Sequence, residues 1–201
     1  MFAFLPGLLT GLSLIMAIGA QNAFVIRQGL TRSHVFLVVL ICAVVDVSLI
    51  CLGIGGLGAL ITGLPWLLEV IRWFGVAYLS WFGFRSARAA FKNESLDAAG
   101  AAEQSQLKVV TTVLALSLLN PHVYLDTVIL VGSIGNQFGV NKWFFAAGAS
   151  LASIIWFSAV GYGAKAASRL MSKPVFWRIL DVFIAVVMFG VALALAFYRF
   201  S

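Results

Sequence analysis

The sequence predicts an all-α membrane protein with about six transmembrane helices. Of its 201 residues, 62% are hydrophobic and only 10% are charged, whereas a soluble domain has about 25% charged residues. In hydrocarbon every backbone amide must be paired within the chain, so long apolar runs are expected to be helices. At about 20 residues per span, the length holds six spans and leaves no room for a separate soluble domain.

Six apolar runs are long enough to cross a bilayer, and polar connections separate them. In chain order, the runs cover residues 4–26, 35–61, 66–84, 109–131, 143–164 and 176–197. Trp66, Trp143 and Trp177 lie at the ends of runs, where interfacial aromatic residues are common. The lipid bilayer is therefore the expected surrounding of most of the chain.

One sustained polar segment, residues 93–107, divides the chain into two halves of similar length. The halves, residues 1–92 and 108–201, hold three apolar runs each. Because three is odd, the second half must insert upside down relative to the first, which is the inverted-repeat plan of many secondary transporters. We therefore expect a single transmembrane transporter domain, its halves joined by a polar cytoplasmic loop.

Basic residues indicate how the helices are oriented, since cytoplasmic connections accumulate Lys and Arg. One side carries ten: Arg27, Arg32, Arg85, Arg88, Lys92, Lys108, Lys165, Arg169, Lys173 and Arg178. The other side carries three: Arg72, Lys142 and Arg199. The first, third and fifth connections are thus predicted to be cytoplasmic, with both termini outside. Five true spans, with one run lying in the interface, would instead put the termini on opposite sides.

The same distribution argues against nucleic acid as a partner, although the net charge is +6. The basic residues lie between apolar runs and do not form a patch on one face or a tail.

Two apolar runs are interrupted at corresponding places, one in each half. The first interruption is residues 19–22, Gly-Ala-Gln-Asn, and the second is residues 118–122, Leu-Leu-Asn-Pro-His. Pro121 removes a backbone donor and clashes with the preceding turn, which frees carbonyl groups for new partners such as a small cation. The side chains of Gln21, Asn22 and Asn120 offer donors and acceptors beside the breaks. Gly and Pro are common in membrane helices, but two breaks in corresponding runs favour a binding site.

Two acidic residues lie inside apolar runs. A carboxylate at the bilayer centre costs at least about 2.5 kcal/mol, so such residues usually face a polar interior and have a function. Asp46 lies within the second run, and Asp126 follows the second break by about one and a half turns. Together they could bind one cationic substrate, or either could exchange a proton. The alternative is that each Asp hydrogen-bonds a Ser or Asn for packing.

Other polar residues have simpler interpretations. Glu69 and Arg72, like Arg178 and Asp181, are three residues apart and could form local ion pairs. Arg27 either anchors the first helix at the cytoplasmic edge or lies in a cation pathway. Tyr124 could stack on a guanidinium or cap an ammonium group.

The sequence predicts neither an enzyme nor a metal or cofactor site. It has no HExxH motif and no nucleophile with a base at helical spacing, and its two histidines, His34 and His122, are far apart. A channel is a further alternative, but channels need a continuously lined pore, and the paired breaks are more typical of a site that closes at the midplane.

Three stretches of the sequence resemble the lysine/arginine exporter family of the LysE superfamily. They are residues 19–29 (GAQNAFVIRQG), Val45-Asp46, and residues 119–127 (LNPHVYLDT). Related threonine and homoserine exporters have a Pro-Gly-Pro type sequence at the first break and usually lack the Leu-Asp ending of the second. The resemblance covers the whole chain.

This resemblance implies a multi-pass protein of the bacterial inner membrane that exports L-lysine, L-arginine or both, driven by the proton motive force. We expect Asp46 and Asp126 to bind the cationic groups of the substrate or the exchanging proton, with the assignment left open. Gln21, Asn22, Asn120 and Pro121 would bind its carboxylate and amine, because helix N-terminal ends at such breaks favour a carboxylate. The alternatives are export of another small amino acid or metabolite, and an uncoupled channel. A homodimer could be needed to enclose the site.

Overall fold

The computed structural model describes residues 2–16, 19–57, 65–91, 105–120, 123–168 and 174–197. Within these ranges every regular element is helical, which confirms the predicted all-α class. We number the helices α1 (Phe4–Ile15), α2 (Ala20–Thr31), α3 (Val35–Leu52), α4 (Pro65–Phe91), α5 (Gln106–Leu118), α6, α7 (Lys142–Ala167) and α8 (Pro174–Phe197). Helix α6 consists of the π-helical Tyr124–Leu130 and the α-helical Val131–Asn136. The chain continues from α3 through Gly53–Leu57 with a kink at Gly56, whose φ is 109°, and a 3-10 turn, Gly139–Asn141, precedes α7.

Two of the described helices are long and apolar enough to cross a membrane, Val35–Gly56 and Gly139–Ala167. Helices α1 and α2 meet the same criterion as a pair, bent by 83° at the break between them. The described ranges therefore contain two such helices, or three if the bent pair is one span, as expected of a membrane protein. The six-span arrangement stays a prediction.

The long helix α7 packs most extensively against α1 and also against α2 and α3, while α4 packs against α8. The contact between α1 and α7 is close because both helices have glycine there. A Cβ atom on Gly7 would overlap the backbone oxygen of Phe145, and one on Gly148 would overlap that of Phe4. Small residues allow such close approach in membrane helices, where dispersion forces between backbones drive packing.

The C-terminal end of α3 and helix α6 also meet through glycines, near the junction of the π-helical and α-helical parts of α6. A Cβ atom on Gly53 would lie 2.5 Å from the Val128 oxygen, and one on Gly132 would lie 2.7 Å from the Gly53 carbonyl. The end of α3 is thus held against α6, which carries Asp126.

Candidate functional site

The first predicted break separates α1 from α2. Gly19 is extended (φ −112°, ψ −179°) and is the N-cap of α2, and its carbonyl accepts from the Ala23 amide at 3.1 Å. Gln21 and Asn22 therefore lie in the first turn of a helix and not in an unwound segment. The side-chain amide of Asn22 donates from Nδ2 to the Ile15 oxygen at 3.1 Å, which ties the start of α2 to the end of α1.

The second predicted break separates α5 from α6. Helix α5 ends at Leu118, and the Val123 amide donates to the Asn120 oxygen at 3.1 Å. Tyr124 crosses the break, donating from its hydroxyl to the Leu118 oxygen at 2.9 Å. Pro121 and His122 lie outside the described residues.

The two breaks meet at one cavity of about 190 Å³. Five of the seven predicted site residues line it: Gln21, Asn22, Asp46, Asn120 and Asp126. The rest of the described lining is Leu14, Ile15, Gly19, Ala20, Val123, Thr127, Phe157 and Val191. Tyr124 is not among the lining residues, and its predicted contact with a cation stays a prediction.

Asp46 lies in the middle of α3 and is 5% exposed. Its Oδ2 accepts a hydrogen bond of 2.9 Å from the hydroxyl of Ser153 on α7, which is fully buried. This is the Ser contact that the packing alternative expected, but the same carboxylate also lines the cavity. One bond uses one of about four acceptor positions on a carboxylate, so the Ser153 contact orients Asp46 without saturating it.

Helix α7 supplies contacts that the sequence did not predict. Trp156 donates from Nε1 to Asn22 Oδ1 at 3.2 Å, and Phe157 lines the cavity. With Ser153 these residues are spaced by three and four positions, so they lie on one face of α7. A hydroxyl within an apolar run is only a weak sequence signal, because serine is tolerated in many packing environments.

The start of α2 offers donors to the cavity. The first N–H groups of a helix have no partner within it and carry a partial positive charge. Nearby, the buried Gln21 side-chain amide lies beside the Cys42 thiol, a weak acceptor, and by strict geometry its Nε2 makes no hydrogen bond within the described residues. Buried donors are nearly always paired in proteins, so this amide is suited to an anionic group in the cavity.

Asp181 pairs across helices. Its Oδ1 lies 3.0 Å from Arg27 Nη1, which joins α8 to α2, whereas the sequence suggested a local pair with Arg178. Glu69 accepts from Trp73 Nε1 at 3.2 Å, and the side chain of Arg72 lies outside what the structure describes.

The cavity lining thus combines the two carboxylates of Asp46 and Asp126, three side-chain amides and the first turn of α2. Negative groups suit a cation, and the helix N-terminus suits a carboxylate. Within the described ranges, no three His, Cys, Asp or Glu side chains lie close enough together to hold a metal ion.

Comparison with known proteins gives one family. Residues 12–199 match the model of the "LysE type translocator" family. The chain is 43% identical over 199 residues to the arginine exporter protein ArgO of Pectobacterium carotovorum, covering 98% of both chains. It is 38% identical over 221 aligned positions to the lysine exporter LysE of Corynebacterium efficiens, covering 96% of this chain and 97% of the other. ArgO of Klebsiella pneumoniae is 41% identical over 196 residues, covering 96% and 92%. No solved structure matches.

Proposed function

The chain belongs to the family of LysE type translocators, and we propose that it exports basic L-amino acids, arginine, lysine or both, from the bacterial cytoplasm in exchange for protons. Similar proteins bear the names arginine exporter and lysine exporter. The observation that carries the proposal is the shared cavity at the two helix breaks, because it contains the groups that a basic amino acid needs.

The charges of the cavity complement those of the substrate. The cationic side chain would lie near Asp46 and Asp126, which both line the cavity. The α-carboxylate would accept from the first-turn N–H groups of α2 and from Gln21. Asn120 and the end of α5 would take the α-ammonium, since a helix C-terminus carries a partial negative charge.

The size of the cavity supports a small substrate. Clefts for drug-sized ligands measure roughly 300–1,000 Å³, whereas this cavity measures about 190 Å³. A single amino acid is smaller than a drug-sized ligand and suits a cavity of this volume.

Proton exchange would supply the driving force. A cation that leaves a negative interior climbs about 2.3 kcal/mol per 100 mV. One proton entering for each cation leaving cancels this charge movement, so that the pH gradient drives export. Asp46 or Asp126 would carry the proton, since each lies in an apolar segment and can exchange it for the cationic substrate.

We extend the proposal to topology: six spans in two inverted halves, in the inner membrane, with both termini outside. The lengths of α4 and α8, 27 and 24 residues, correspond to about 40 and 36 Å of helix, enough to span the roughly 30 Å hydrocarbon core. The contact of 2.6 Å between Arg32 Nε and Ser168 Oγ brings the first and fifth connections to the same end. The positive-inside count assigns both to the cytoplasm.

Efflux from proteoliposomes tests this function. Vesicles containing the native protein would be loaded with labelled arginine or lysine and placed in acidic medium. We expect rapid efflux with the pH gradient and little response to a potassium potential set with valinomycin. Protein-free vesicles, and a protonophore that dissipates the gradient, are the controls.

Three outcomes would contradict the proposal. Efflux that follows the potassium potential and ignores the pH gradient would indicate an uncoupled channel. Release of a neutral amino acid such as leucine at the rate of arginine would indicate another substrate. No efflux above the protein-free control would reject transport of basic amino acids.

A further inference from the structure

An ion pair outside the cavity joins two helices that both line it. Arg27 of α2 and Asp181 of α8 are 3.0 Å apart, and their side chains are 23% and 8% exposed. A charge left unpaired at such a buried position is costly, so the contact holds α2 against α8 while it is intact.

The pair lies on the side of the cavity where α2 ends. Along α2, Arg27 comes five residues after Asn22, an axial distance of about 7.5 Å. Along α8, Asp181 comes ten residues before Val191, about 15 Å. Asn22 and Val191 line the cavity. A solute moving between the cavity and the Arg32 end of α2 would therefore meet this contact if it passed between α2 and α8.

The partner of Asp181 is a guanidinium group, which is also the side-chain group of arginine. A cationic solute can replace Arg27 at Asp181 and leave the carboxylate paired. A neutral solute of the same size cannot, because it would leave a buried carboxylate without a counter-charge. Exchange of one cation for another is therefore a way to open the contact selectively.

We propose that the Arg27–Asp181 ion pair closes the cavity on the side of the first and fifth connections, and that the cationic side chain of the substrate opens it by replacing Arg27 at Asp181. A solute coming from that side would meet Asp181 before the cavity, which makes Asp181 a selectivity-determining residue. The substrate part of this proposal rests on the proposed function, whereas the closing contact does not.

Accessibility of a cysteine in the cavity measures whether the contact is closed. The reporter is Val191→Cys, in a background in which Cys42 and Cys51 are replaced by serine. An uncharged, membrane-impermeant methanethiosulfonate reagent, such as a sugar-linked one, would be applied to vesicles of either orientation, because a cationic reagent could itself replace Arg27. A separate Lys165→Cys protein identifies the face at which α7 ends, since Lys165 is exposed there.

We expect Arg27→Gln to increase the labelling rate of the reporter at least tenfold, from the Lys165 face and not from the other. Labelling of the reporter should stay slow with Arg27→Lys, because lysine keeps the positive charge. Labelling should also stay slow with the reversed pair, Arg27→Asp with Asp181→Arg. That result would show that the fast labelling of Arg27→Gln does not come from a folding defect. Arg32→Gln is the matched control, since it removes a contact at the exposed end of the same helix.

Arginine or lysine added to the native reporter should accelerate labelling from the same face. Citrulline, the neutral analogue of arginine, should not. Equal labelling of the native and Arg27→Gln proteins, whether fast or absent, would overturn the proposal, as would acceleration by citrulline equal to that by arginine.

The two proposals fail in different ways. If Arg27→Gln accelerates labelling but arginine and lysine neither accelerate it nor leave loaded vesicles, the closing contact stands and export of basic amino acids is rejected. If both amino acids leave the vesicles while Arg27→Gln has no effect on labelling, export stands and the closing contact is rejected.

Discussion

Among the described residues, Asp46 is held by a neutral donor and has no ion pair with a basic side chain. Ser153 donates to its Oδ2 at 2.9 Å, and both residues are buried. A hydroxyl orients a carboxylate and partly replaces its lost hydration, but a neutral donor does not balance the negative charge. This arrangement favours a cationic ligand in the cavity. Arg27–Asp181 is the opposite case, in which the protein supplies the cation itself.

Replacing Ser153 by alanine tests how far this donor supports binding. Without this donor the Asp46 carboxylate can turn away from the cavity, so Ser153→Ala should weaken arginine binding by about threefold to tenfold, which is part of the roughly 1.5–3 kcal/mol that a hydrogen bond to a charged group contributes to stability. Equilibrium binding of labelled arginine to purified protein measures the effect. Ser158→Ala, on the same helix but lining a groove against α3 outside the cavity, should bind as the native protein does. Equal affinity of both variants would show that Ser153 has no part in binding.

The sequence predicts the charged and helix-breaking residues of the site, but not the uncharged residues that hydrogen-bond to them. Asp46 is conspicuous because an acid in an apolar run carries an insertion cost, and Asn120 is conspicuous because a proline follows it. Ser153 and Trp156 carry no such cost, since a hydroxyl and an indole are tolerated in many packing environments. Their role depends on α7 facing the start of α2, which only the tertiary structure shows.

At the scale of helices, the two breaks are built differently. The first is a helix end followed by a helix start, with Gly19 extended between them. The second leads into the π-helical segment Tyr124–Leu130. Glycine and proline predicted where the chain would break, but not on which side of the break Gln21 and Asn22 would lie. The sequence carried no signal for the π-helical geometry of Tyr124–Leu130, in which Val128 lies against Gly53.

Alanine substitution tests the glycine contact between α1 and α7. Gly148→Ala would force α1 away from α7, because the new Cβ atom would meet the Phe4 backbone. Overpacking of this kind costs roughly 1–3 kcal/mol, and we expect a lower melting temperature in detergent. Gly163→Ala on the same helix has no atom within 4 Å of its Cβ and should be neutral or stabilising, because alanine favours helix. Equal melting temperatures of the two variants would contradict this packing.

At the scale of the whole molecule, the length of α7 indicates that its two ends lie at opposite membrane faces. Its 26 residues correspond to about 39 Å, so its two ends must lie at opposite faces if it crosses the bilayer upright. The basic-residue count assigns its Lys165 end to the cytoplasm. The sequence predicted that assignment from charge alone, and the structure adds that Arg32 lies at the same end through Ser168.

Cysteine labelling in whole cells tests the orientation. Val140, which is 94% exposed just before α7, and Lys165 would each be changed to cysteine in the background without Cys42 and Cys51. We expect an impermeant thiol reagent to label Val140→Cys in intact cells and Lys165→Cys only after the cells are opened. The reverse pattern would invert the topology, and labelling of both in intact cells would mean that α7 does not cross the membrane.

The most direct test of the central claim, that the cavity between the two breaks binds a basic amino acid through its carboxylates, is arginine binding by purified Asp46→Asn and Asp126→Asn. Each variant keeps the size of the side chain and removes its charge, and Glu69→Gln, which changes a carboxylate outside the cavity lining, is the matched control. We predict at least tenfold weaker binding for both cavity variants, about 1.4 kcal/mol, with native affinity for the control. Native affinity in both cavity variants would contradict the account.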